Sequence, residues 1–250
     1  MKQKKPLFIA SYIGTSILII AVILTLSFWF NLRIRNKNQP LSPTFSENNA
    51  PTFVVDAGHG GEDGGAVAED GTTEKELNLE IAATLSLLYE LNGNKYAMTR
   101  EGDTLLYDKY NDLECYQGKK KIYDLKNRVK MTKEHSLPVY VGIHMNSFSS
   151  SKYSGLQVYY SRGNEKSMLF ADTVQKNTST YLQKDNTRRT KEADGSIYIL
   201  SNLDCPAVLI ECGFMSNEAE LNMLKSNSYR QKLSSVIFAS SLSACIDKAP

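Results

Sequence analysis

The chain has 250 residues and a mass of 28.0 kDa, enough for one α/β domain with an appendage and too little for two large domains. Hydrophobic residues make up 42% and charged residues 22%, which excludes disorder throughout. The formal charge of +2 hides an asymmetry: residues 1–50 hold Lys2, Lys4, Lys5, Arg33, Arg35 and Lys37 against Glu47, leaving 23 basic and 26 acidic groups elsewhere. A remainder with that acidic balance lacks a phosphate-binding footprint, so nucleic acid is excluded as a partner.

Leu7–Phe30 is a run of 24 residues without a charge. As a helix it would span roughly 36 Å, enough to cross a hydrocarbon core. It is apolar on all faces and ends in Phe28, Trp29 and Phe30 rather than in small residues. It therefore reads as an uncleaved transmembrane anchor (residues 1–30) with an interfacial aromatic belt, not as a cleaved signal peptide. Three basic residues lie on each side, so charge alone does not fix the orientation. Residues 31–50 are polar, carry two prolines and show no periodicity, as a flexible tether does.

Residues 51–250 read as the folded domain. Strands are predicted at Thr52–Val55, Tyr96–Thr99, Val139–His144, Gly155–Ser161, Ser196–Leu200 and Ala207–Cys212. Helices are predicted at Glu76–Leu91, around Lys119–Glu134, at Glu165–Leu182 and at Tyr229–Asp247. Strands separated by helical patterns argue an α/β fold, with a mostly parallel or mixed twisted sheet covered by helices on both faces. The four cysteines (Cys115, Cys205, Cys212, Cys245) form no CxxC pair, which excludes a zinc ribbon. Free thiols are expected, and Cys205–Cys212 is the one bridge left open.

Three apolar strands end in polar, ligand-capable residues. FVVDAGHGGEDGGA places His59 in a loop with five glycines, PVYVGIHMNS ends a strand in His144, and AVLIECGFMSN ends one in Glu211. In parallel sheets the carboxyl ends of the strands form the ligand crevice. The glycine loop does not fit a dinucleotide or P-loop pattern, and Asp56, Glu62 and Asp63 would repel phosphate. A lone strand-end histidine is more often a hydrogen-bonded core residue. Two of the chain's three on one sheet, with a carboxylate, instead form a constellation. The third, His135, falls in a polar turn and reads as surface.

Two imidazoles and a carboxylate suit a catalytic zinc ion, which keeps a position open for water. A further carboxylate must move the proton. TTEKELNLE offers Glu74, Glu76 and Glu80, of which Glu74 stands at the helix start, within reach of the sheet edge.

Together these stretches resemble the zinc-dependent N-acetylmuramoyl-L-alanine amidases of bacterial cell walls. The matching motifs are DAGHGG (Asp56–Gly61), EKELNL (Glu74–Leu79), IHMN (Ile143–Asn146) and PAVLIECGFMSN (Pro206–Asn217), with a Thr99–Arg100 pair followed by Asp103. They occur in the family's order and cover about Thr52 to Ile246. The resemblance implies that His59, Glu74 and His144 hold one zinc ion and that Glu211 is the catalytic acid/base. It implies a substrate-orienting or supporting role for Asn146. Ala57 departs from the family's usual proline, and NRVKMTKEHS lacks the small residues common before the second histidine. The long tyrosine-rich stretch Leu105–Lys121, SSKYSGLQVYYS and the single anchor are similar to the spore-cortex branch, where stem peptides are stripped from muramic acid before a lactam forms.

The expected substrate is therefore peptidoglycan, with the domain held outside the cytoplasmic membrane by residues 7–30, facing the cell wall or the spore intermembrane side. Some relatives need an activator protein, which the sequence neither requires nor excludes. Arg188 and Arg189 are candidates for meeting stem-peptide carboxylates, or else solvated loop charges. Two alternatives compete: a zinc peptidase using the same polarised water, and a non-catalytic wall-binding protein with a vestigial site. A glycosidase needs paired carboxylates but not two strand-end histidines.

Overall fold

In a computed structural model, the described residues are 50–110 and 119–246. The anchor and all but the last residue of the tether expected within residues 1–50, and residues 111–118 of the tyrosine-rich stretch, lie outside them. No described helix is long and apolar enough to cross a membrane.

Six strands form one sheet: β1 (Thr52–Ala57), β2 (Lys95–Met98), β3 (Pro138–Asn146), β4 (Gln157–Tyr160), β5 (Lys191–Glu192) and β6 (Ala207–Phe214), in the order β2-β1-β3-β6-β4-β5. The pairs β2/β1, β1/β3 and β3/β6 are parallel, β4 runs antiparallel to β6, and β5 is parallel to β4. The sheet is thus mixed, with a parallel half and an inverted edge. Among the described residues six helices accompany it: α1 (Glu74–Leu91), α2 (Lys120–Lys133), α3 (Glu165–Tyr181), α4 (Tyr198–Ser201), α5 (Glu218–Lys225) and α6 (Asn227–Ile246).

The alternation of each central strand divides its side chains between two cores. Phe53, Val55, Val141, Ile143, Val208 and Ile210 face one layer, with Leu77, Ile81 and Leu85 of α1, Phe170 and Val174 of α3, and Leu233 and Ile237 of α6. Val54, Tyr140 and Leu209 face the other, with Val129 of α2 and Ile199 and Leu200 of α4. Both faces are covered, which is why these strands read as nearly continuous apolar runs. Phe53 stacks on Tyr89 with ring centroids 4.3 Å apart, tying β1 to the end of α1.

One predicted strand is corrected. Ser196–Leu200 is not a strand; its apolar residues form the single turn α4, and β5 at Lys191–Glu192 takes the edge position. Gly195 has φ +93°, and Asp194 Oδ1 accepts hydrogen bonds from Ser196 N (3.0 Å) and Ser196 Oγ (2.6 Å). This local turn folds the chain back, so Ile199 and Leu200 enter the second core from one side. Helix α5 was not anticipated; Asn217 caps it by accepting from Glu220 N at 3.1 Å. Cys205 and Cys212 are both free thiols, so the bridge left open between them is absent.

Candidate metal centre

The carboxyl ends of β1 and β3 and the start of α1 meet at one edge. His59 lies two residues beyond β1 in a left-handed conformation (φ +62°), which is costly for a side-chain-bearing residue. Two arginines hold the backbone there. Arg128 of α2 donates to Ala57 O (2.9 Å) and His59 O (2.8 Å), and Arg100 donates to Ala57 O (2.8 Å) and Gly58 O (3.0 Å). Arg128 is itself fixed by Asp56 and Asp124, and Asp56 also accepts from Thr99 and Tyr140. Burial opposes ionisation of Asp56, but the Arg128 guanidinium and these hydroxyl hydrogen bonds outweigh it and hold its pKa below the usual carboxylate value. The Thr99–Arg100–Asp103 motif is thereby explained: Asp103 accepts from Gly61 N and from Lys75 Nζ, both at 2.7 Å, closing the loop from the other side.

Helix phase selects the acid. Glu74, Leu77, Asn78, Ile81 and Leu85 form one buried stripe of α1, whereas Glu76 and Glu80 are exposed. Glu74 Oε1 lies 3.2 Å from His59 Nε2 and 3.1 Å from His144 Nδ1. Its oxygens also accept from Met145 N (3.0 Å) and Ala66 N (2.9 Å). Burial pushes the Glu74 pKa up, but hydrogen bonds to His144 and His59 prevail and hold it far below the ordinary value. His59 Nδ1 is 3.0 Å from Asp63 Oδ2, and despite its burial these two acids raise its pKa.

Close packing makes glycine necessary at two positions. A Cβ at Gly58 would sit 2.3 Å from His144 Cε1, and one at Gly65 would sit 2.5 Å from Glu74 Oε2.

The geometry fits a tetrahedral zinc ion. Donors about 2.1 Å from such an ion stand roughly 3.4 Å apart, close to the two histidine–glutamate separations. One ligand atom from each of His59, Glu74 and His144 lies within 4.8 Å of the others, and no other such group occurs among the described residues. Asp63 on the far nitrogen of His59 leaves Nε2 directed at Glu74, the carboxylate–histidine arrangement found behind metal ligands.

Glu211 of β6 stands directly beside His144 in the sheet register. Its Oε2 is buried and has no hydrogen-bond partner. Burial, reinforced by the charge of Glu74 against the opposing histidines, raises its pKa to about 7. A cavity of about 40 Å³ beside His59 and His144, bounded by Leu125 and Ile199, has room for about one water.

The other candidates separate. Asn146 ends β3 opposite Phe214, and its carbonyl accepts from Met215 N at 2.8 Å. Arg188 is half-buried with its guanidinium over the Phe214 ring, 4.5 Å from the centroid. Arg189 is exposed and contributes its carbonyl to Gln157 Nε2 at 2.7 Å. Asn78 Nδ2 donates to Gly58 O at 3.1 Å; sequence reasoning missed it, Asp63 and Arg128 as supports of the site. Asp63 four residues after His59 and Asn78 one turn after Glu74 were the available signals.

An α/β sheet whose edge gathers two imidazoles and a carboxylate able to hold a divalent ion, with a carboxylate oxygen unpartnered alongside, is the arrangement of a metal-assisted hydrolase. The sequence profile of the N-acetylmuramoyl-L-alanine amidases matches residues 53–240, and the chain belongs to that family of peptidoglycan amidases. It is 33% identical over 215 residues to the germination-specific N-acetylmuramoyl-L-alanine amidase of Bacillus subtilis, covering 85% of this chain and 87% of that one. It is similar to the CwlD amidase of Clostridioides difficile, solved in complex with the GerS lipoprotein, at 36% identity and a TM-score of 0.71, covering 79% of this chain and 98% of that one. A further N-acetylmuramoyl-L-alanine amidase structure, from Clostridium difficile 630, matches at 26% identity and a TM-score of 0.68, covering 80% of this chain and all of that one.

Proposed function

We propose that this amidase is zinc-dependent and acts on peptidoglycan of the spore cortex, releasing stem peptides at the bond between muramic acid and L-alanine. The single observation that carries the mechanism is the unpartnered buried oxygen of Glu211 beside the His59–Glu74–His144 donor set. When bound there, zinc supplies a Lewis acid that polarises the lactyl carbonyl and brings the pKa of water towards ~7.

The chain's own groups do the rest. Glu211 takes a proton from the attacking water at a carboxylate oxygen and delivers it to the departing L-alanine nitrogen. Its buried position with one oxygen unpartnered leaves that oxygen free to take and return the proton. Asp63 fixes His59 by accepting from Nδ1, so Nε2 is presented as the donor atom. Asn146, at the end of β3, borders the groove lined by Ser147, Phe148 and Met215, where a stem or glycan segment would lie.

The cortex assignment rests on the germination-specific relative and on the motifs of the tyrosine-rich stretch. The complex of CwlD with the GerS lipoprotein supports a protein partner of that kind for this chain. Residues 7–30 are proposed to anchor the domain on the outer side of the membrane, through the tether at 31–50. The non-catalytic alternative is set aside, since the chain belongs to an enzyme family and retains all four residues.

The test is product analysis on purified peptidoglycan with zinc. Intact stem peptides with a free L-alanine amine and matching muramic acid carboxyls support the proposal. Cleavage within the stem would instead assign a peptidase. Zinc near one ion per chain, lost in His59→Ala, is expected by elemental analysis.

A further inference from the structure

The inverted edge of the sheet brings a second set of residues to the reacting end. Because β4 and β5 run opposite to β6, the loops entering them lie at the same edge as the end of β6. Gln157, the first residue of β4, is paired with Glu211. Arg188 lies in the loop entering β5 and donates to Gln157 Oε1 at 3.2 Å. Tyr159, on the same strand face, senses both Glu211 and Arg188 after the larger effect of burial.

Arg188 is held unlike most other arginines of the domain. Arg128, Arg162 and Arg230 form ion pairs. Arg188 instead donates from Nε to Ser154 O at 2.6 Å, from Nη1 to Gln157, and stacks on Phe214. Its backbone N donates to Asn186 Oδ1 at 3.0 Å. All these partners are neutral, and no carboxylate among the described residues pairs with it. Glu220, in the same groove wall, is engaged by Gly155 N (2.8 Å) and Phe214 N (2.7 Å). The two side-chain hydrogen bonds leave three of the five guanidinium N–H groups for a ligand. A rigid, half-buried cation with spare donors is suited to bidentate capture of a carboxylate.

We infer that Arg188 is a specificity-determining residue that binds a carboxylate on the second residue of the leaving peptide. This rests on the amidase reading only for the direction in which the peptide runs. Gln157 bonds Arg188 and is the register partner of Glu211, one strand spacing (about 4.8 Å) away, and the Arg188 guanidinium covers Phe214 further along the same strand as Glu211, so the cation stands one step out from the reacting end, where the residue after the L-alanine would lie. Among the described residues the opposite face of the site supplies no unpaired equivalent, because Lys75, Lys120 and Lys121 are paired with Asp103, Glu62 and Asp63.

The test uses the full chain and two probes, L-alanyl-D-glutamate and its diamide, with binding read by calorimetry or chemical shifts. The wild type should bind the diacid at least tenfold more tightly than the diamide. Arg188→Gln should bring the two to within about twofold while leaving diamide affinity unchanged, and Arg188→Lys should fall between. Equal binding of both probes by the wild type overturns the inference. So does a preference that survives in Arg188→Gln, or an equal loss for both probes, which would make the residue structural. If the discrimination holds but the zinc-supplied chain releases no stem peptide, the amidase reading fails and the carboxylate site stands.

Discussion

Replacing Glu211 with glutamine should stabilise the zinc-free protein at alkaline pH while abolishing turnover. In the fold this carboxyl titrates at about 7 instead of its ordinary 4.5, chiefly because it is buried. Between those values the folded chain retains a proton that the unfolded chain has released, so stability falls as pH rises. At about 1.36 kcal/mol per pH unit, the loss is about 3 kcal/mol by pH 8. Glutamine carries no such titration. Melting curves of the two proteins in chelator should coincide near pH 4.5 and diverge with pH, the variant gaining roughly 6–12 °C at pH 8 for a domain of this size. Zinc should narrow the gap, because a nearby cation favours the ionised acid. Turnover should fall by several orders of magnitude. A gap that stays constant from pH 5 to 8 would refute the assignment of Glu211 as a buried, unpartnered acid.

Other outcomes follow from the supports of the site. Asp63→Asn should lower zinc affinity about 10- to 100-fold with the fold intact, measured by competition with a chelating dye; unchanged affinity would remove Asp63 from the site. Arg128→Met strands the buried charge of Asp56 and should cost about 3–5 kcal/mol in denaturant unfolding, with part recovered in the Asp56→Asn/Arg128→Met double variant. No recovery would mean that the pair acts independently. Gly65→Ala forces a Cβ to within 2.5 Å of Glu74 Oε2 at a φ of +66°, so purified protein should carry little zinc. Full zinc content in that variant would show that Glu74 is free to move.

The strands that carry the site were legible because each is a short apolar run that breaks into polar residues where it leaves the core. The choice of Glu74 over Glu76 and Glu80 was only weakly legible from spacing alone. It follows from helix phase, since Glu74 continues the stripe of Leu77 and Ile81 towards the sheet edge. Ser196–Leu200 misled because a run of apolar residues has no period by itself; the Asp194–Gly195–Ser196 turn was the informative signal. Arg128 gave no local sign. It sits in a helix that reads as charged surface, and its burial depends on Asp56, 72 residues earlier in the chain. The separate fates of Arg188 and Arg189 likewise depend on which neighbour meets Phe214, a contact no local pattern encodes.

The mixed direction of the sheet has a consequence for how this enzyme is able to diversify. The candidate ion-holding residues come from the parallel half, through β1, α1 and β3, while Gln157 and Arg188, inferred above to form the peptide rim, come from the inverted half, at the connections into β4 and β5. Length and composition of those connections are therefore free to drift, or to be engineered, with the chemistry left in place. Grafting the 182–190 connection between relatives should transfer taste for the stem without disturbing the engine that cuts it.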